Sequence, residues 1–468
     1  MPVCLTAPLG RAKLTFILLC VVNLSNAQEP IGLMNDNYLP SSAIMFNPAS
    51  MLTSPLPGDL NIISGDLTAS NNLAYTNNFS LLTLSAPNIS NNKIAYNRPS
   101  TIRAFSNALI EGPSAVIRHG SLSYGIVFRT QSAASLMTGQ VDSNLNFNHI
   151  AKDTFYRFPE SRTAGMKWSE FGVNFGKCFN QNGSVRVSMA ANINYVAGWD
   201  GICAVTQKPL YFVKNSEAST MSFKDVVMNY GYTSGFSNDV PQVISSFQLK
   251  GSGAATDAGV WISGGSDPTH YRWKFGISMI DMGFVSFSNN VSRYSITTDT
   301  IVTATMHDFN TLNSAGSFTQ IASQAVEGNG TMKNISGPLV IALPAALVFQ
   351  AEVAMPQNLF LHALMVQRVI VSQQQILRAN CVAITPRYEI KNFAAGIPIN
   401  WYDNNRMQVG GYLRIGPVIA GSDNLAALFV PSKWEGADFY FGIHAHPFKE
   451  HINGYYHSRQ SKIGCPKF

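Results

Sequence analysis

Between Ser184 and Trp199 the chain reads SVRVSMAANINYVAGW, with apolar residues at Val185, Val187, Met189, Ala191, Ile193, Tyr195, Ala197 and Trp199. The residues between them are mostly small or polar, among them Arg186, Ser188, Asn192 and Asn194. Successive side chains of a strand point to opposite faces, so this run predicts a strand with one greasy and one wet face. It is far longer than the roughly 5–6 residues of most strands, and it exceeds the roughly 9–11 that a tilted strand needs to cross a bilayer. Tyr195 and Trp199 suit an aromatic girdle at a membrane interface. A long strand of a secreted β-sandwich alternates in the same way, so this run alone leaves both architectures open.

The period of two recurs along the chain. It predicts a first strand at about 59–76, a hairpin over 113–132 turning at His119-Gly120, and a second hairpin from KWSEFGVNFGKCF (167–179) through Asn182-Gly183. Asn-Gly between alternating runs favours a type I′ turn. Strands at 253–265 and 271–287 flank Ser266-Asp267-Pro268-Thr269, and others are predicted near 339–353, 358–370, 381–391, 393–401, 406–421 and 436–448. The less regular stretches 204–250 and 288–337 are expected to hold one strand each plus long loops. Turns such as MPQN, EIKN and YDNN are short, and one rim of tight turns facing one of long loops is the layout of an outer-membrane barrel. The count comes to 13 or 14, and single-chain bacterial barrels prefer even numbers, so about fourteen strands over residues 58–448 are expected.

Residues 28–57 break the rhythm. Ile31, Leu33, Met34, Ile44, Met45 and Phe46 are apolar without alternating. Left outside they would form a sticky patch, whereas a barrel of about fourteen strands has space to fill. This segment is therefore expected to fold inward as a short plug, with Pro48 fixing the chain direction at Asn47-Pro48-Ala49.

The N-terminus sets the compartment. Arg11 and Lys13 precede the apolar run Leu14–Val22, and Ser25 and Ala27 are small, which reads as a secretory signal peptide over 1–27 with the mature chain starting at Gln28. Leu19 before Cys20 argues against a lipoprotein. Beyond it no stretch approaches the roughly 18 apolar residues of a spanning helix, the nearest being PLVIALPAALVF (338–349), which contains Pro344. Charged residues make up only 12% of the chain, about half the usual share, which suits a wall facing lipid outside and Asn, Ser and Gly inside. The net charge of +6 drops to +4 without Arg11 and Lys13, too little to point to a nucleic-acid partner. Cys178 lies just before the Asn182-Gly183 turn and Cys203 is expected beyond the far end of the next strand, out of disulfide reach. Cys381 and Cys465 have no metal-type spacing.

Several segments resemble an uncharacterised outer-membrane barrel family of Bacteroidota: GLMNDNYLPSSAIMFNPAS, WSEFGVNFGKCF, WKFGISMIDMG, ITPRYEIKNFAAGIPI, YLRIGPVIAGSDNLAALF and GADFYFGI. They span nearly the whole mature chain, and none is catalytic, so the resemblance implies fold and location more than activity. Asn47-Pro48-Ala49 also resembles the N-terminal hatch of fatty-acid-transporter-type barrels, which implies a plug and a channel for a hydrophobic substrate. Relatives that append a peptidoglycan-binding domain differ from this chain, in which only a basic tail (449–468) follows the barrel.

Candidate chemistry is sparse. His444 and His446 share a strand face, as two metal ligands could, yet no carboxylate or Cys joins them at ligand spacing and strand alternation alone explains the pair. GSGAATDAG (251–259) lacks the Lys-Ser/Thr of a phosphate loop, and no Gly-x-Ser-x-Gly elbow occurs. No catalytic residue, cofactor or metal is therefore expected, and the chain is read as a non-enzyme. Arg186, Asn192, Asn194, Asp257, Arg387, Glu389 and Asp423 are expected in the lumen or at its rim, because a charge facing mid-bilayer lipid costs roughly 2–4 kcal/mol. Val187, Met189, Ile193 and Tyr195 should face lipid. The expected function is binding or passive passage of a small, hydrophobic molecule across the outer membrane of a Gram-negative bacterium. The rival is a non-transporting scaffold or partner subunit of an envelope assembly. Outer-membrane lipid is the expected surrounding of either.

Overall fold

The computed structural model describes residues 30–447 except 80–93, 141–150, 180–183, 216–219, 237–247, 266–270, 299, 306–307, 309–311, 313, 404–405, 426–428 and 430–431. The signal peptide, the Asn182-Gly183 and Ser266–Thr269 turns, Cys465 and the basic tail lie outside the described residues.

Fourteen antiparallel strands close into one barrel. They are β1 (Gly58–Asn71), β2 (Thr101–Glu111, continued by Ser114–His119), β3 (Leu122–Gly139), β4 (Ser161–Phe179), β5 (Val185–Thr206), β6 (Gly251–Gly265) and β7 (Tyr271–Phe287). There follow β8 (Leu339–Ala342, continued by Ala346–Met355), β9 (Leu359–Arg368) and β10 (Cys381–Ile390). The last four are β11 (Phe393–Gly396 and Ile399–Tyr402), β12 (Arg406–Val409 and Gly411–Ile415), β13 (Val418–Ser422) and β14 (Gly436–Ala445). The ring closes where β14 pairs with β1, from Leu60 opposite Ala445 to Ser70 opposite Gly436. Among the described residues no helix is long and apolar enough to cross a membrane.

The alternation on β5 is the one read from sequence. Met189, Ile193 and Tyr195 are exposed outside, Ile193 by 67%, while Arg186, Ser188, Asn192 and Asn194 are buried inside. Phe171, Val173 and Phe175 on β4 and Tyr124 and Ile126 on β3 extend the same apolar exterior. Its rings meet in pairs, Phe128 with Phe171 at 4.8 Å and Tyr124 with Phe175 at 5.5 Å. An apolar belt this wide is what a hydrocarbon layer covers. The strand runs on to Thr206, past a register shift beside Trp168, so Cys203 lies on β5 itself rather than beyond it. Cys178 and Cys203 are buried and not joined to each other.

Four boundaries differ from the pattern-based reading. The strand ahead of His119 starts at Thr101, not near 113. The run 406–421 is two strands, split at Gly416, whose φ of +58° allows a tight turn that a Cβ would strain. Beyond residues 204–206, which end β5, the stretches 204–250 and 288–337 contribute no wall strand among the described residues. They form an extension with strands Leu210–Lys214, Thr220–Lys224, Val227–Thr233, Val291–Thr298, Val302–Thr305 and Gly330–Asn334, and with a helix at Ala315–Val326. The strand ends at Tyr402 and Arg406 lie on the long-loop rim, not with MPQN and EIKN, and Asn404 and Asn405 of YDNN lie outside the described residues.

Candidate functional site: a lumen filled from both ends

Three short helices occupy the tight-turn half of the lumen: α1 (Ile31–Asn35), α2 (Pro40–Ala43) and α3 (Ser50–Thr53). Pro40 starts α2, where its missing N–H costs nothing. Between α2 and α3 the side-chain oxygen of Asn47 accepts the Ala49 N–H at 3.1 Å and turns the chain. Ile31, Leu33, Leu39, Ile44, Met51 and Leu52 are at most 2% exposed, and each such burial is worth about 1.5–3 kcal/mol.

Polar groups of the wall meet the plug on every side. The Asn47 amide donates to Val260 O on β6 at 3.1 Å, and Asn174 on β4 donates to Pro48 O at 3.0 Å. Gly259 is needed there, since a Cβ would sit 2.3 Å from the Asn47 oxygen. Asn192 on β5 donates to Ile44 O at 3.1 Å, and the Ser278 hydroxyl on β7 donates to Phe46 O. Arg414 on β12 grips Asp36 at 2.5 Å and donates to the carbonyls of Lys391 and Ile390. Asp423 on the β13 side accepts the Ile31 N–H at 2.9 Å and the Tyr440 hydroxyl at 3.0 Å.

Arg387 and Glu389 form an ion pair at 2.8 Å, and Arg387 also holds Glu352 of β8 at 2.6 Å. Lys274 of β7 joins Glu352 at 3.3 Å and donates to the Asn37 oxygen, while Asn37 donates back to Glu389 at 2.9 Å. At the base, His444 lies 3.1 Å from Asp59 and 3.3 and 3.4 Å from the hydroxyls of Ser41 and Ser42, and Ser42 donates to Glu111. His446 contacts Tyr38 O at 3.0 Å and Asp59 at 3.4 Å. These two histidines serve plug contacts. Among the described residues no group of three or more His, Cys, Asp or Glu is arranged to hold a metal ion.

The other half of the lumen is filled by the β9–β10 connection, residues 369–380. Ile376 packs with Trp168, Val285, Phe287 and Ile341, whereas Leu377 and Ala379 pack with Phe105, Leu109, Met34 and Phe46. Beside them lies an ionic cluster. Arg129 bridges Glu170 at 2.8 Å and Asp281 at 2.6 Å, Arg378 from the loop grips Asp281, and Asp257 accepts the Asp281 N–H at 2.7 Å. Asn192 and Asn194 donate to this cluster, at 3.0 Å each to Asp257 and Glu170. A recess between plug and wall, beside Asn35, Trp261, Lys274 and His362, has about 20 Å³ of room, enough for roughly one water.

The structure thus groups the sequence-derived residues in three places. Asn192, Asn194 and Asp257 share the ionic cluster, Arg387 and Glu389 face Asn37, and Asn47 and Pro48 seat on β4–β6. Asp423 stands apart near the β12–β14 wall, and Arg186 faces inward near the tight-turn rim. Sequence reasoning passed over Arg129, Glu170, Asp281, Glu352, Lys274, Arg414 and Arg378. Arg129, Glu170, Glu352, Lys274 and Arg414 sit at inward positions of alternating strands, so the parity used for Arg186 would have found them. Asp281 escapes it, because a backbone irregularity with a φ of +55° breaks the alternation set by Lys274 and Ser278. Arg378 lies on an irregular loop, where no parity applies.

A closed antiparallel barrel with an apolar exterior and a lumen plugged by its own N-terminal segment defines the class. The chain belongs to the family of unknown function DUF5723, whose model matches residues 48–423. No curated protein shows significant similarity to it. Among solved structures, the Pseudomonas putida toluene transporter TodX is 8% identical, over 86% of this chain and 92% of that one, with a TM-score of 0.25. A Pseudomonas aeruginosa FadL homologue is 9% identical, over 86% and 93%, with a TM-score of 0.21. The siderophore receptor PirA from Pseudomonas aeruginosa is 9% identical, over 82% and 81%, with a TM-score of 0.18. Likeness at this level carries no inference about what the present chain handles.

Proposed function

We propose that this chain is an outer-membrane β-barrel of a Gram-negative bacterium, cut near Ala27 on export, that binds or passes a small molecule when its internal segments withdraw. The observation carrying this reading is that the lumen is filled by two non-strand segments, held largely through side-chain contacts and by a few main-chain bonds at Ala342 and Ala345, while the wall closes without them. Segments of that kind can leave without breaking the barrel. An apolar ligand is supported by the long-loop half of the lumen, lined by Met166, Trp168, Val285, Phe287, Leu339 and Ile341. No catalytic chemistry or cofactor is part of the proposal.

The test is a variant with residues 31–52 deleted and 370–378 replaced by a Gly-Ser linker, reconstituted into liposomes after a heat-shifted gel band has shown that the barrel assembles. Entry of small solutes at rates above protein-free liposomes is expected. An assembled variant as tight as bare lipid would sink the passage reading. It would favour the scaffold alternative, which draws its own support from a recess no larger than a water.

A further inference from the structure

The loop over 369–380 is seated like a ligand. Its seat begins with Pro344, which interrupts β8 because it has no N–H to give to the ladder. The carbonyls turned out of the sheet there are taken up by the loop: the Gln375 amide donates to Leu343 O at 3.1 Å, and Arg378 Nε donates to Pro344 O at 3.0 Å. Main-chain bonds link Ala342 to Gln374 and Ile376. From this anchor the loop crosses the lumen. The Leu377 N–H donates to the Ser135 hydroxyl of β3 at 2.8 Å, six strands away from β9 around a ring of fourteen.

Its tip, Ile376-Leu377-Arg378, presents two apolar side chains and then a cation. The apolar pair fills the space between Trp168, Phe287, Phe105 and Leu109, and the guanidinium ends on Asp281. With the tip withdrawn, two carboxylates, Asp281 and Glu170, would depend on the single guanidinium of Arg129, with Asp257 adjoining them. One guanidinium cannot neutralise two buried carboxylates, so the emptied seat favours a positive charge beside an apolar body. We propose that this seat is a binding site for a small amphipathic cation, an aryl- or alkyl-ammonium in chemical class, and that the loop tip is its tethered stand-in. The proposal rests on the small-molecule reading above and narrows it: Asp281 takes the cationic head, and the walls around Ile376 and Leu377 take the apolar part.

The full-length protein in detergent is titrated with phenethylammonium, with phenethyl alcohol and phenylpropionate as neutral and anionic counterparts, and binding is followed by calorimetry. Arg378→Ala removes the competing head and should bind the ammonium at least about tenfold more tightly than the parent, because a larger fraction is binding-competent. Adding Asp281→Asn should abolish that gain. Equal binding of the alcohol or the anion by Arg378→Ala would overturn the cationic assignment, and equal affinity of parent and variant would overturn the loop as occupant. A pair of cysteines, Ser135→Cys with Leu377→Cys, keeps the test independent of how well Arg378→Ala folds. Oxidation should lock the loop and abolish ammonium binding, and reduction should restore it; binding undiminished in the locked form refutes the site. Ammonium binding together with no solute flux through the loop-released barrel would refute passage while leaving this site standing.

Discussion

Replacing Arg414 with Met should loosen the plug while sparing the wall. Arg414 is fully buried, and it satisfies Asp36 and two main-chain carbonyls at once. Met fills a similar volume but leaves the Asp36 carboxylate, itself 1% exposed, without its countercharge. Removing one partner of a buried pair costs about 3–5 kcal/mol. Because β12 keeps its ladder partners on both sides, most of that cost should fall on the docked state of residues 31–53. At 1.4 kcal/mol per factor of ten, plug opening should become between about a hundred and a few thousand times more frequent. Hydrogen exchange read by mass spectrometry resolves this, since amides of α1–α3 exchange through local opening and those of the wall through global unfolding. Asp36→Asn added to Arg414→Met removes the stranded charge and should recover part of the protection. An increase below about tenfold in plug peptides, or an equal increase in peptides from β3 and β4, would refute the reasoning.

Three further outcomes follow from the same geometry. Ile193→Arg, at a 67% exposed outward position, should cost roughly 2–4 kcal/mol if that position meets mid-bilayer lipid, measured as urea-induced loss of the heat-shifted gel band. Cysteines placed at Asn192 and Asn194 should resist a small aqueous thiol reagent in the parent protein and react once residues 31–52 are deleted, while Val187→Cys should stay unreactive in both. Gly259→Val should push the Asn47-Pro48 turn from its seat at an overpacking cost of about 1–3 kcal/mol, seen as faster exchange at residues 44–50 with the barrel intact.

The exterior was readable because lipid imposes one rule on every outward position, and β5 obeys it from Val185 to Ala197. The lumen imposes no such rule. On β2 the inward residues Arg103, Phe105, Asn107, Leu109 and Glu111 mix charge with apolar bulk, because each meets something different. Arg103 pairs with Asp403, Asn107 bonds Asp66 and Gln131 of the wall, Phe105 and Leu109 join the apolar core, and Glu111 accepts from Ser42 of the plug. The outward residues there include Ala104 and Ser106. Neither face then carries a clean period, and Thr101–Glu111 passes for a loop. The extension strands failed for the opposite reason. Val227–Thr233 and Val291–Thr298 alternate like wall strands, but Tyr230 stacks on Tyr294 and meets Phe318 of the helix over Ala315–Val326 edge-on, so a packed core outside the ring mimics a lipid face. The plug was legible from apolar content without alternation. The inward path of 369–380 was not, since its anchors depend on which carbonyls Pro344 turns out of β8, a property of the folded wall.

The cluster of Ser41, Ser42, Asp59, Glu111 and His444 sits where the first strand of the chain meets the last. Asp59 and His444 are 385 positions apart, so this junction is the most costly contact in the ring for chain entropy and among the last that folding can make. Two edges arriving there could pair in more than one alignment, and an error of a single residue would turn His444 out toward hydrocarbon and its neighbours inward. In the observed alignment Ser41 and Ser42 of the plug meet Asp59 from the first strand and His444 from the last. The stopper and the seam of the cylinder therefore share one set of polar contacts, and the segment that blocks the barrel is also a tie across the two strands that close it.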